Sequence, residues 1–375
     1  MRRCDKYLKN EILKKPGKSQ VFCFWLSHLI NWSHEMHKNF INTENWTQTE
    51  LNQILIDATL LKNNPHNQAL KNKSFALLFL NPSMRTRTSF EVGIQQMSGS
   101  AVILQPGKDA WGIEFENGTV MDGDAEEHIK EVASVLSTYV DGIAIRAFPK
   151  FIDWGIDKQD LVIKAFSKYA NVPIINMETI VHPCQELALM MTIKKHLGIV
   201  KNKKFLMTWT YHPKPLNTAV ANSAISISSK FGMDVTLLCP SKDYILDEKY
   251  IDLARQNCEH NGATFTMTHN IEEAYKDADF VYAKSWGALP FYGNPSKEWQ
   301  QRKNYKHFIV NSQKMSLTKQ AKFSHCLPLR RNIKATDAVM NADYCVAIEE
   351  AENRLHTQKA MMMAIFNEVK CGGTS

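Results

Sequence analysis

The chain has 375 residues, 44% hydrophobic and 22% charged, which supplies two cores of ordinary size and excludes a disordered polymer. Its net charge of +7 is uneven: residues 1–35 hold seven Lys or Arg against Asp5, Glu11 and Glu35, leaving only +3 for the rest. Without a basic stripe interleaved with aromatic residues, that balance argues against a nucleic-acid partner.

Eight cysteines are scattered with no C-x-x-C pair and no Cys/His spacing of the zinc-site type. They read as reduced thiols of a cytoplasmic enzyme without a bound metal. "VFCFWLSHLI", Val21 to Ile30, follows a basic stretch but is about half a membrane span and lacks a small-residue cleavage site, so neither membrane insertion nor export is expected. Residues 1–35 precede a second methionine, Met36, and read as an N-terminal extension: a true appendage, or translation from an upstream start.

From Lys73 onward, strand-length apolar runs alternate with helix-length amphipathic stretches. FALLFL, AVIL, GIAIRA, VPIINM, KFLMTW, DVTLLC, TFTMTH, FVYAK, HFIV and KFSHCL are the predicted strands. Predicted helices include the stretch carrying Phe90, Ile94 and Met97, a segment from Ala125 to Ser137, a connecting helix from Glu186 to Gly198, and a last helix from Glu349 to Val369. This alternation predicts an α/β fold of two doubly wound parallel-sheet domains. The expected division is 36–185, completed by a returning helix at 349–375, and 186–348.

Polar residues recur where these strands end: Asn81 and Ser83, Arg146, Glu178 and His182, Lys284, then His325 and Cys326. Open α/β sheets bind ligands at the carboxyl ends of their strands. Each residue alone reads as a solvated loop residue; their recurrence at one edge points to a site.

"SMRTR", Ser83 to Arg87, is the most specific of these segments. It joins a buried strand to a helix start, where cations are disfavoured unless an anion sits among the free N–H groups. Backbone N–H groups from Met84 to Arg87, the Ser83 and Thr86 hydroxyls and the forked donors of Arg85 and Arg87 match a phosphoryl group. The segment is not a G-x-x-x-x-G-K-[ST] loop, which favours a small phosphate compound over ATP.

With "HPCQ" (His182 to Gln185) and "HCLP" (His325 to Pro328), "SMRTR" resembles the three signatures of the aspartate and ornithine carbamoyltransferases. "LQPGKDAW", "VMDGDAEEH", "TWTYHPKPLNTAVANS" and "YAKSWGALPF" are similar to the family's acetylornithine branch. The resemblance runs from about Met36 to the C-terminus and implies carbamoyl phosphate and N-acetyl-L-ornithine as substrates, with no cofactor. It implies carbamoyl phosphate contacts from Ser83, Met84, Arg85, Thr86, Arg87, Trp111, Arg146, His182, Pro183, Cys184, Gln185, Cys326, Leu327 and Arg354. Arg146, His182 and Thr86 would act on the carbamoyl group; Glu178, Lys284, Leu327 and Glu126 would meet the amine substrate.

The resemblance further implies a homotrimer in which the Trp111 loop reaches a neighbour's site, a C-terminal knot through "TYHPKPLNTA", and Lys334 as a candidate for covalent modification. Plainer readings stay open: Lys284 and Lys334 as surface lysines, His182 as a turn residue, Cys326 as a packed thiol, and Glu126 as an acid in a helix's first turn. The expected reaction is carbamoyl transfer to the δ-amine of N-acetyl-L-ornithine, in arginine biosynthesis. Its rivals are transfer to N-succinylornithine and a non-catalytic anion-binding protein of the same fold.

Overall fold

The computed structural model describes residues 38–371, with side chains described to residue 366, so the N-terminal extension lies outside the described residues. Helix α1 (Gln48–Asn63) starts at a reciprocal cap in which Thr47 and Glu50 satisfy each other's backbone N–H groups. Then come β1 (Ser74–Phe79), α2 (Met84–Gln96), β2 (Ser100–Leu104), the short β3 (Ile113–Glu114) and β4 (Glu127–His128), α3 (Ile129–Tyr139) and β5 (Gly142–Arg146). α4 (Leu161–Tyr169) and β6 (Ile174–Glu178) complete a parallel sheet ordered β2-β1-β5-β6.

α5 (Pro183–Leu197) leads to the second sheet. β7 (Lys204–Trp209), α6 (Ala219–Lys230), β8 (Asp234–Leu238), α7 (Glu248–Asn261), β9 (Phe265–Thr268), β10 (Phe280–Lys284), α8 (Pro295–Arg302) and β11 (Lys322–Ser324) follow. These strands form a parallel sheet in the order β11-β10-β7-β8-β9. β5, β6 and β7 are almost wholly buried, which explains why their sequences are continuous apolar runs rather than alternating ones.

α9 (Ala347–Cys371) crosses back to the first sheet's helices. Its Glu352 meets Lys62 of α1 at 2.9 Å, Asn353 donates to Thr192 of α5 at 2.8 Å, and Lys359 donates to Gln96 of α2 at 2.9 Å. Gly93 allows this packing: a Cβ there would lie 3.2 Å from Lys359 Cγ and 3.3 Å from Leu355 Cδ1.

Two predicted elements are corrected. HFIV is not a strand: His307 and Phe308 end a 3-10 turn, and Val310 makes only an isolated bridge to Ala335. An apolar run of that length is equally able to bury against a neighbouring core, and Phe308 and Val310 do so. The helix expected from Ala125 begins at Ile129 instead. Glu127 and His128 pair with Ile113 and Glu114, and the His128 ring caps the helix by accepting from Lys130 N at 3.2 Å. Glu126 is therefore an exposed loop residue, not an acid in a helix's first turn.

Candidate active site

A cavity of about 600 Å³ opens at the carboxyl ends of both sheets and collects side chains that the sequence scatters from Pro82 to Arg354. On the first-sheet side, Ser83 caps α2, its Oγ accepting from Thr86 N at 3.2 Å. That bond holds the first turn so that Met84, Arg85 and Thr86 line the cavity. Thr86 is buried, and its Oγ1 also accepts from Arg354 of α9 at 3.3 Å. The helix N-terminus and two guanidinium groups thus converge where an anion is stabilised.

A register shift at Ile145/Arg146 sets Arg146 opposite Glu178, at the ends of β5 and β6. Their side chains form a buried ion pair, and Glu178 lies 3.5 Å from His182 Nε2. His182 precedes Pro183, which occupies the first turn of α5, where a missing N–H is tolerated. Burial, followed by the charges of Arg354, Arg146 and Lys284, holds the His182 pKa well below the ordinary imidazole range. The ring is neutral at pH 7, with one N–H to donate and one lone pair to accept.

Gln185 and Arg354 are locked from behind. Arg354 Nη1 donates to Gln185 Oε1 at 2.9 Å, while Gln185 Nε2 donates to the buried Glu350. Glu350 also accepts from Tyr282 at 2.8 Å and from Ser324. Burial raises its carboxyl pKa, and these donors oppose the rise. The two oxygens of Glu350 therefore orient a cavity residue while staying outside the cavity lining.

Lys284, Cys326, Leu327 and Lys334 line the second-sheet side. Leu327 takes φ +52°, a left-handed conformation that costs a branched residue energy and is concentrated at ligand sites. Lys334 is only 2% exposed, which removes the surface-lysine reading. Its Nζ lies 3.4 Å from His325 Nε2, and His325 Nδ1 accepts from Leu327 N at 2.8 Å. Burial and then Lys284 lower the Lys334 pKa to about 7; burial and then Lys334 itself lower that of His325. With Nδ1 accepting, the neutral His325 ring carries its proton on Nε2, facing the amine.

Five of the residues expected to contact a substrate do not line their own chain's cavity. Arg87 is exposed, one helical step past the cavity-facing Thr86. Pro183 and Cys184 are buried; Cys184 Sγ donates to Asn176 O at 3.4 Å, and burial pushes its thiol up to about 12, so it packs as an inert thiol. Trp111 is 66% exposed on a separate surface, and Glu126 is in the same β3–β4 region. Conversely, His212, Asn217 and Arg330 line the cavity although sequence reasoning did not select them. Their signal lay in "TYHPKPLNTA" and in the residues that follow "HCLP", where several polar residues compete and only the tertiary fold says which turn inward.

Residues 38–195 match the carbamoyl-P binding domain of aspartate/ornithine carbamoyltransferase, and residues 215–365 match its Asp/Orn binding domain. The chain is 60% identical over 333 residues to an N-acetylornithine carbamoyltransferase of Xylella fastidiosa (strain Temecula1), covering 88% of this chain and 99% of that one. It superposes with a TM-score of 0.87, at 61% identity and covering 88% and 99% of the two chains, on an acetylornithine transcarbamylase complexed with acetylcitrulline. The same figures hold for a mutant N-acetyl-L-ornithine transcarbamylase complexed with carbamyl phosphate and N-succinyl-L-norvaline. With both domains matched in order across the cavity just described, the chain belongs to the aspartate/ornithine carbamoyltransferase family.

Proposed function

We propose that this chain transfers the carbamoyl group of carbamoyl phosphate to the δ-amine of N-acetyl-L-ornithine, giving N-acetyl-L-citrulline and phosphate in arginine biosynthesis. One observation carries the reading: a single cavity joins the anion-binding turn Ser83–Thr86 to Arg146 and His182, and faces them with Lys284 from the other sheet. We divide the chain accordingly into a carbamoyl phosphate domain, 36–185 with 349–375, and an acetylornithine domain, 186–348.

Phosphate sits on the α2 N-terminus, held by Ser83, the Met84 N–H, Arg85 and Thr86. Arg146 and neutral His182 meet the carbamoyl group, which offers an acceptor oxygen and a donor NH2 in the same plane. The δ-amine, with its proton removed, attacks the carbamoyl carbon. Charge collects on the oxygen, where a guanidinium and preset N–H donors stabilise it more than they stabilise the planar ground state. The C–O bond to phosphorus then breaks, and phosphate leaves with the electron pair and can take the amine's proton. Gln185, fixed by Glu350 and Arg354, and the Cys326–Leu327 backbone accept from the carbamoyl NH2. Cys326 lines the site and forms no bond, since the amine attacks directly.

Lys284 suits the α-carboxylate of the amine substrate, and Glu178 and Leu327 complete that side. Trp111 lies outside its own cavity with Val120 and Met121 also exposed nearby in the chain, which supports its acting in a neighbouring subunit of a homotrimer. Glu126 travels with it. The knot rests on the "TYHPKPLNTA" resemblance alone. A cytoplasmic location rests on the unpaired described cysteines. Among the described residues, no helix is long and apolar enough to cross a membrane.

The test is citrulline formation from carbamoyl phosphate with ornithine, N-acetylornithine and N-succinylornithine in parallel. Preferred turnover of N-acetylornithine is expected. Preference for the succinyl compound overturns the acyl assignment, and no turnover of any amine leaves an anion-binding protein.

A further inference from the structure

Two loops leave the cavity from opposite sheets. One follows Arg146 at the end of β5, the other follows Lys284 at the end of β10. Away from the cavity they interlock. The rings of Phe151 and Tyr292 stack with centroids 5.8 Å apart and planes 28° apart, and the Trp154 ring packs tilted against Tyr292 with centroids 5.4 Å apart. Tyr292 donates its hydroxyl proton to Asp157 Oδ2 at 2.8 Å.

Asp157 is also the organiser of the first loop. Its carboxylate accepts from Lys150 N at 3.0 Å and Phe151 N at 2.9 Å, so the Tyr292 hydroxyl is a third donor to a group that already shapes the turn. Trp154 extends the contact by donating from Nε1 to Asp247 Oδ2 at 2.7 Å, another tie between the sheets' loops. The backbones also touch: Gly293 has φ +78°, and a Cβ there would stand 2.3 Å from Ile152 O. No other residue fits that crossing, and Phe151 on the facing loop itself takes φ +60°.

None of these side chains lines the main cavity. Yet the interlock fixes one loop to the other just beyond Arg146 and Lys284, the cations assigned to the carbamoyl group and to the amine substrate's carboxylate. We propose that Tyr292 is a positioning residue: with Phe151, Trp154, Asp157 and Gly293 it clasps the two loops together and thereby sets the separation of Arg146 from Lys284. The inference rests on the activity proposed above. Small errors in the relative placement of two reactants cost large factors in rate; carbamoyl phosphate keeps its phosphate contacts on the first-sheet side, whereas the amine substrate, reached by Glu178 from one sheet and Lys284 from the other, does not.

The clasp therefore has a kinetic signature distinct from loss of a binding group. In full-length enzyme, Tyr292→Ala is expected to raise the KM for N-acetylornithine and lower kcat by about tenfold each, while the KM for carbamoyl phosphate stays within about twofold. Tyr292→Phe, which keeps the stacking and loses the hydrogen bond, should show the same pattern at about threefold. Gly293→Ala wedges the crossing open without removing an aromatic ring and should resemble Tyr292→Ala.

Tryptophan emission, with Trp154→Phe subtracted, should shift to longer wavelength in Tyr292→Ala as the indole is uncovered. A wild type that forms acetylcitrulline, beside Tyr292→Phe and Gly293→Ala enzymes that keep both constants, overturns the clasp alone. Reduced melting temperature with unchanged constants makes the contact merely structural and overturns it too. A wild type that forms no acetylcitrulline overturns the activity, and the clasp's part in it with it.

Discussion

The two ends of the cavity are built on opposite principles. The phosphate end is local: Ser83, Met84, Arg85 and Thr86 are consecutive, and Met84 and Arg85 are accessible on the first turn of a capped helix. Its affinity for an anion comes from backbone N–H groups and side chains that water can still reach. The amine end is assembled from β10, the turn after β11 and the 330–335 loop. Its cation Lys334 is deprived of water and of any carboxylate partner among its hydrogen bonds. The guanidinium of Arg85 sits at a helix start that solvent reaches, whereas the buried ammonium of Lys334, with Lys284 and Arg330 nearby, is relieved by losing its proton. One end is preset to hold an anion, the other holds a buried lysine neutral.

The sharpest test of that division is complementation. In the proposed mechanism Arg146 is an oxyanion donor, so removing it is expected to lower turnover about 100- to 1,000-fold, and Trp111→Ala should be nearly inactive if the indole serves a neighbouring site. In equal mixtures refolded together, a site with both residues intact arises in about a quarter of cases, because each site draws one residue from each of two adjacent chains. Activity approaching about a quarter of wild type is expected. Confirmed mixed trimers that remain inactive return Trp111 to its own subunit's surface.

Within the phosphate end, Arg85→Ala removes a charge-assisted contact worth about 1.5–3 kcal/mol, so the KM for carbamoyl phosphate should rise roughly 10- to 100-fold. The melting temperature should hardly change, since Arg85 is half-buried and makes no ion pair among the described residues. Equal affinity for carbamoyl phosphate in the variant would empty this end of its assigned role.

Lys334 tests the other end through pH. Its folded pKa, about 7, lies below its unfolded value near 10.5. Below pH 7 both states are protonated and folding carries the full cost of burying the ammonium. As pH rises from 7 toward 10.5 the native state has released its proton and the unfolded chain has not, so stability rises with pH across that window. Lys334→Met should therefore be more stable relative to wild type at pH 6 than at pH 9, by at most a few kcal/mol. Denaturant midpoints at the two pH values measure this, and a gap independent of pH would mean that Lys334 stays charged.

This division also explains what could be read from the amino acids alone. The Ser83–Arg87 turn was legible because its logic is local: an N-cap, a helix start and two cations in one short segment. The parallel strands were legible because strands buried on both faces must be continuous apolar runs, and HFIV failed because burial in a 3-10 turn demands the same run. His212, Asn217 and Arg330 were not legible, since polar residues in long loops become cavity residues only through packing between sheets. Burial of Lys334 is not legible either, because nothing in "NIKATDA" distinguishes it from a surface lysine. Cys184 and Arg87 carried motif weight that the helix geometry redistributes: one faces the core, the other faces away.

Glu126 gives the smallest expected effect, and the structure lowers it further. The sequence placed this carboxylate at a helix start, where it would complement the dipole; β4 intervenes, so that role is gone and the residue is an exposed loop acid. What remains is its company with Trp111. If that loop enters a neighbour's site, Glu126 comes near the acyl tail of the amine substrate. A succinyl tail ends in a carboxylate and an acetyl tail in a methyl group, so the glutamate disfavours the first by like-charge repulsion and leaves the second alone. Exposure keeps this near the scale of solvent-screened pairs, about 1 kcal/mol or less, equivalent to roughly a fivefold change. Glu126→Ala and Glu126→Pro should raise kcat/KM for N-succinylornithine by about that factor without a comparable gain for N-acetylornithine, and the difference should shrink in high salt. An unchanged ratio of the two kcat/KM values in both variants would leave acyl selection to the cavity wall alone.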